Sequence, residues 1–180
     1  MTGTKEIYYW DTCLFCSWLA DEKRTSGDMD GVREIVSRVK KRDAGLITSA
    51  LTLSEVLPSK YPTGTYDLFD DLLKRTTIKV VAVDRKIAKL AGELRAYYDT
   101  NPKDGKKQLA TPDAIHLATA IINSVTEFHT FDSGEQRKSI GLLQLDGNVA
   151  GHKLVICKPK FRQPLLDLVV TDEKSKKSQN

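Results

Sequence analysis

Ile78-Lys79-Val80-Val81-Ala82-Val83 runs directly into Asp84-Arg85-Lys86-Ile87-Ala88-Lys89-Leu90-Ala91. The first six residues are apolar except for Lys79 and mostly β-branched, which reads as a strand. A helix is expected to follow from Asp84 to about Tyr98. The same alternation repeats on either side. Upstream, Ile7-Tyr8-Tyr9-Trp10 reads as a buried strand, followed by a helix over about Cys13 to Ala20 and a turn at Ser26-Gly27-Asp28. From Asp30, Val32, Ile35, Val36 and Val39 mark an amphipathic helix expected to end near Ala44-Gly45. Leu46 to Thr48 is a strand, and helices follow over Leu51 to Leu57 and Tyr66 to Lys74. Downstream, Asn101 to Lys107 is a loop and Thr111-Pro112 opens a helix with Ala114, Leu117, Ala118 and Ile121 on one stripe. Strands are expected at Glu127 to Phe131 and Lys153 to Cys157. Strands alternating with helices imply an α/β fold, a three-layer α/β/α sandwich on a mostly parallel sheet. In such sheets the working site lies at the carboxyl ends of the strands.

The 180 residues suit one domain, expected over 1–164, with an extension over 165–180 whose polar tail loosens from about 171. A composition 40% hydrophobic and 29% charged excludes a wholly disordered chain. The net charge of +4 permits a nucleic-acid partner without arguing for one. No apolar run approaches the roughly 20 residues of a membrane span, and no signal peptide is legible, so a soluble cytoplasmic protein without membrane contact is expected. Three cysteines do not make a disulfide framework.

Four carboxylates fall where the strand-end rule directs attention. Asp11 follows the first strand, Glu55 lies in the helix after the second, Asp113 sits just inside the helix opened by Thr111-Pro112, and Asp132 follows the late strand. Each has an ordinary explanation taken singly: a helix-dipole partner for Asp113, a capping box in Thr52-Leu53-Ser54-Glu55, and turn residues at Asp11 and Asp132. As a converging set they are costly, because like charges about 4 Å apart repel by about 1 kcal/mol in water and about 4 kcal/mol at an effective dielectric of 20. Such a set needs protons or cations. Oxygen donors without His or Cys suit Mg²⁺ or Mn²⁺ rather than Zn²⁺, and the expected chemistry is phosphodiester hydrolysis.

The motifs Trp10-Asp11-Thr12, Thr52-Leu53-Ser54-Glu55-Val56, Thr111-Pro112-Asp113-Ala114-Ile115-His116-Leu117-Ala118-Thr119-Ala120 and Thr130-Phe131-Asp132 occur in that order. From about residue 6 to residue 157 the chain resembles the PIN-domain ribonucleases, and within them most closely the VapC-type toxins of bacterial and archaeal toxin–antitoxin pairs. The resemblance implies a divalent-metal endoribonuclease acting on RNA, a homodimer, and inhibition by an antitoxin laid across the acidic site. It makes Asp11 and Asp113 the principal metal ligands, with Glu55 and Asp132 completing the set directly, through water, or by orienting the nucleophile. Thr12 would lend a hydroxyl and Thr130 would brace Asp132. Cys13 stands where the family often has Asn or Ser. A housekeeping RNA-processing nuclease and a non-catalytic RNA- or protein-binding module are the alternatives.

Other signals carry less. Cys13-Leu14-Phe15-Cys16 reads as two small side chains packed on a helix before it reads as a redox pair or half a zinc site. His116, one turn beyond Asp113, either carries a proton at the site or packs and hydrogen-bonds locally. His129 and His152 show no usable pattern. Lys103, Lys106 and Lys107 precede Asp113 and are candidate RNA contacts, as are Lys153, Lys158, Lys160 and Arg162 around Phe161. The basic stripe over 33–42 reads as a solvated helix face. A haloacid-dehalogenase-like hydrolase wants Asp-x-Asp after the first strand, where this chain has Asp11-Thr12-Cys13.

Overall fold

A computed structural model of the chain describes residues 5–24, 27–57, 61–106, 108–135 and 138–161. Ser26, Lys107, Arg162, the expected boundary at 164 and the tail lie outside the described residues. The strands are β1 (Glu6–Trp10), β2 (Ala44–Ser49), β3 (Ile78–Val81), β4 (Glu127–His129) and β5 (Ile156–Cys157). The helices are α1 (Thr12–Leu19), α2 (Asp28–Lys40), α3 (Leu51–Val56), α4 (Thr65–Leu73), α5 (Arg85–Thr100) and α6 (Thr111–Ile122), with a 3-10 turn at Leu142–Leu145. The strands form one parallel sheet in the order β3-β2-β1-β4-β5.

Alternation along β1 decides the layering. Tyr8 and Trp10 enter a core with Phe15 of α1, Val32 and Ile35 of α2 and Phe69 of α4, while Tyr9 enters a second core with Leu94 of α5, Leu117 of α6 and Phe128 of β4. Both faces are therefore covered, which explains why β1 reads as a continuous apolar run. Trp10, Tyr8 and Tyr9 are among the largest fully buried side chains. The three-layer α/β/α architecture expected from the sequence is the one observed.

Several boundaries differ from expectation; β3, for one, ends at Val81 rather than Val83, shortly before Asp84 caps α5. Helix α2 stops at Lys40, four residues before Ala44, because Arg42 takes a left-handed conformation (φ 69°). The Arg42 N–H then donates to the Val39 carbonyl and the Asp43 N–H to the Arg38 carbonyl, closing a Schellman motif at a residue that is not glycine. Gly45, the expected stop, lies inside β2. Strand β4 ends at His129 rather than Phe131 because the Phe131 N–H donates to Cys13 Sγ and the Asp132 N–H to Thr130 Oγ1, which turns the chain out of the sheet. β5 is only Ile156–Cys157, with Lys153 outside it, after a tight turn through Ala150 and Gly151 at positive φ.

From β1 the chain builds outward through β2 and β3, then returns to place β4 on the other side of β1. The strand order therefore reverses between β1 and β4. In open α/β sheets that crevice, at the carboxyl ends, is where ligands bind.

Candidate active site

Asp11 occupies the crevice. It directly follows β1 and is the N-cap of α1, so the rigid sheet and the helix start fix it together. Its Oδ1 accepts from Cys13 Sγ at 2.9 Å and from the Leu14 N–H at 3.4 Å, and its Oδ2 accepts from Thr130 Oγ1 at 2.6 Å. The residue is only 5% exposed. Burial pushes its carboxyl above the usual range, and the Cys13, Thr130 and Leu14 hydrogen bonds and the nearby His116 oppose that rise.

The other three acids line the same pocket, a cleft of about 490 Å³ reached by Asp11, Glu55, Asp113 and Asp132 together. Glu55 arrives from α3. Its Oε2 accepts from Thr12 Oγ1 and lies 3.1 Å from His116 Nε2. The ordinary capping-box explanation is thereby displaced: α3 begins at Leu51 after Ala50, and the Glu55 carboxylate turns toward the cleft. Asp113 comes from the first turn of α6, where Pro112 sets the helix start, and its Oδ2 is shut off from solvent. Asp132 is held by its own loop: Oδ1 accepts from the Gly134 N–H at 3.0 Å and Oδ2 from the Leu142 N–H at 3.3 Å. That loop closes because Gly134 and Gly141 have no side chains; a Cβ on Gly134 would sit 2.6 Å from the Gly141 nitrogen.

The lesser candidates divide. Thr130, expected to brace Asp132, does so by accepting its backbone N–H at 3.0 Å while donating to Asp11, so one hydroxyl ties two acids. Thr12 donates to Glu55. His116 is buried at 2% exposure and lines the pocket, with Nδ1 2.7 Å from the Tyr9 hydroxyl. An ionised carboxylate can only accept, so a singly protonated His116 ring carries its proton on Nε2 toward Glu55 and accepts from Tyr9 on Nδ1. Burial, with the Asp11 charge, pushes the Tyr9 phenol well up, which keeps that proton in place. Lys103 pairs with Lys106 in a small antiparallel bridge and lines a different cleft with Tyr97 and Tyr98. Lys106 Nζ donates to the Gly134 carbonyl, behind the Asp132 loop. Lys107 lies outside the described residues. Cys13 is more than packing: its thiol donates to Asp11 and its sulfur accepts the Phe131 N–H at 3.2 Å. Burial, then the Asp11 charge, push that thiol well up, away from the thiolate a redox pair requires.

Arg24, with no motif around it, is a pocket residue that the sequence did not single out. Glu22 and Ser17 beside it were likewise illegible, because nothing in their spacing ties the segment after α1 to the crevice.

The donor set fits a hard divalent cation. Among the described residues, the His/Cys/Asp/Glu group whose ligand atoms all lie within 4.8 Å is Glu127, His129 and Cys157, not the cleft acids. Carboxylate oxygens on an open cleft suit Mg²⁺ or Mn²⁺, which keep several waters and use few direct carboxylates. The Glu127 cluster is a poor metal site despite its closeness. Trp10 Nε1 donates to His129 Nδ1 at 3.2 Å, so the singly protonated ring directs its Nε2 proton to Glu127 Oε2, 2.8 Å away, and offers no lone pair there.

Residues 8–139 match the family model of the PIN domain. The chain belongs to the PIN-domain family. PIN domains are generally nucleases and typically use divalent metals. Among solved structures, this PIN domain is similar to the VapBC2 complex of Rickettsia felis bound to a DNA fragment from its promoter, at 17% identity and TM-score 0.54, covering 74% of this chain and 96% of the other. It is also similar to FitAcB of Neisseria gonorrhoeae, at 18% identity and TM-score 0.50, covering 71% and 88%. No curated protein matches in sequence. No helix of the described residues is long and apolar enough to cross a membrane.

Proposed function

We propose that this PIN domain is a Mg²⁺- or Mn²⁺-dependent endoribonuclease, the toxin of a toxin–antitoxin pair, working as a homodimer and restrained by an antitoxin. The observation that carries the nuclease reading is the gathering of Asp11, Glu55, Asp113 and Asp132 on one cleft at the reversal of strand order. The toxin reading draws on the resemblance to VapC-type toxins and on the fold shared with the VapBC2 complex.

Asp11 and Asp113 would hold the cation, whose chemistry when bound is to lower the pKa of a water and offset charge on the phosphate. The chain's own residues do the rest. Thr130 and Cys13 fix the Asp11 oxygens, so the carboxylate enters the site already oriented. Thr12 and His116 fix Glu55, which orients the attacking water and accepts its proton. Asp132, tied by the Gly134 and Leu142 N–H groups, holds the far wall. Water attacks in line at phosphorus, the opposite P–O bond breaks, and the leaving ribose oxygen takes a proton from solvent, with no covalent intermediate.

The purified chain is expected to cut a single-stranded RNA oligonucleotide internally in Mn²⁺ and to lose that activity in EDTA, read on a denaturing gel. Intact RNA in the presence of metal, or cleavage undiminished by EDTA, contradicts the proposal.

A further inference from the structure

An arginine in a pocket built from acids needs an explanation. The cleft is lined by Asp11, Glu22, Glu55, Asp113 and Asp132, and among its described lining residues Arg24 is the single Lys or Arg. A second hollow of about 360 Å³ opens beside it, lined by Phe131, Ser133, Gly134 and Glu135, with Cys13, Arg24 and Asp132 common to both. Arg24 therefore stands on the wall between the two. Its Cζ lies 4.3 Å from the centroid of the Phe131 ring. Its Nε donates to Ser17 Oγ at 3.1 Å and Glu22 Oε2 at 2.8 Å, and Ser17 Oγ itself donates to Glu22 Oε2. The side chain is thus held at three points, yet it remains one-third exposed. An ion pair of that exposure adds little to stability. Among the described residues, neither Nη nitrogen has a hydrogen-bond partner.

We propose that Arg24, seated on Phe131, is a strand-binding subsite for single-stranded RNA. It takes the phosphate next to the one held at the carboxylates, with the attached nucleotide running over the Phe131–Gly134 hollow. The inference rests on RNA being the substrate. Its physical logic is charge and preorganisation. A polyanion entering an acidic cleft is repelled wherever no cation meets it, and Arg24 supplies a fixed cation one step along the strand. The guanidinium presents a planar fork matched to phosphate oxygens, and holding Nε in advance leaves less freedom to lose on binding. Phe131 completes the support as the aromatic under the cation. It also follows directly from Thr130, so subsite and carboxylates share one segment.

The test uses the full chain and a fluorescent single-stranded RNA oligonucleotide, with KM and kcat in Mn²⁺ and anisotropy binding in EDTA over a series of salt concentrations. Arg24→Ala is expected to weaken binding and raise KM about tenfold, with the loss falling on KM rather than kcat. It is also expected to flatten the dependence of log K on log salt by about one phosphate contact. Arg24→Lys should restore the salt slope but only part of the affinity, because the point charge lacks the fork. Phe131→Leu, which keeps an apolar plug, should raise KM about threefold, the order of a weak exposed cation–π contact. A merely structural arginine would not move the salt slope. Arg24→Ala with the parent's affinity and slope overturns this inference alone. A parent chain that neither binds nor cuts RNA overturns the nuclease reading and this one with it.

Discussion

Asp113→Asn is expected to reduce metal-dependent RNA cleavage by about a thousandfold, the scale of losing several kcal/mol of charge stabilisation at the reacting phosphate. The fold should persist. Asp113 sits in the first turn of α6, where the cap residue is Ala110 and Pro112 already sets the start, so Asn keeps shape and loses only charge. The helix loses a favourable dipole contact of about 0.3–1 kcal/mol and the cleft loses a repulsion of similar size, so the melting temperature should barely move. Initial rates on a single-stranded RNA, alongside far-ultraviolet circular dichroism and a thermal melt, give both readings. Cleavage at the parent's rate contradicts the placement of Asp113 at the reacting centre.

Asp11→Asn is expected to cost as much activity while making the metal-free protein more stable. Burial raises the native Asp11 carboxyl above its unfolded value. The sign follows from linkage: a raised acid binds its proton more tightly in the native state, so ionised Asp11 subtracts stability at every pH above its raised native value. As pH falls through that value toward the unfolded one, about 4, the subtraction disappears. In EDTA at neutral pH the Asn variant should therefore be more stable, read as a Tm above the parent's. The difference should shrink to nothing as the pH approaches 4. The Thr130, Cys13 and Leu14 hydrogen bonds to the carboxylate work against the gain, which keeps it modest. A neutral-pH Tm below the parent's would mean that Asp11 serves the fold before the chemistry.

The opposite signs in activity and stability are what a site held in a costly arrangement produces. Four acids on one cleft are repulsive in the free protein, and the sheet tolerates them because β1 and its large aromatic side chains are buried on both faces.

Much of this was legible in the sequence because it depends on local pattern. Ile7–Trp10 and Ile78–Val83 declare strands by composition, and a strand followed by a helix implies a parallel sheet. Once the sheet is parallel, Asp11 and Asp132 belong to one edge without further information. What escaped depends on chain segments distant in sequence. The stop of α2 at Arg42 needed a left-handed residue that sequence assigns to glycine by default, so Gly45 drew the boundary too late. The Thr130 tie to Asp11 and the Cys13 contacts with the Thr130–Phe131 segment arise only because the exit of β4 passes over the start of α1, a juxtaposition 117 residues apart along the chain. Glu55 matched a capping pattern that α3 does not use, since the carboxylate found Thr12 and His116 across the cleft instead. The lysines before Asp113 were near it in sequence, yet the small bridge at Lys103 and Lys106 carries the described pair to other partners. Adjacency along the chain is a weak guide where a helix begins.

Mn²⁺ binding to the full chain, measured by isothermal titration and by the electron paramagnetic resonance signal of the free ion, locates the cation. The carboxylate cleft should bind the ion, the Asp11→Asn, Asp113→Asn double variant should lose it, and Glu127→Gln should bind like the parent. Binding that survives the double variant but disappears with Glu127→Gln would move the metal to the β4–β5 cluster and contradict the account.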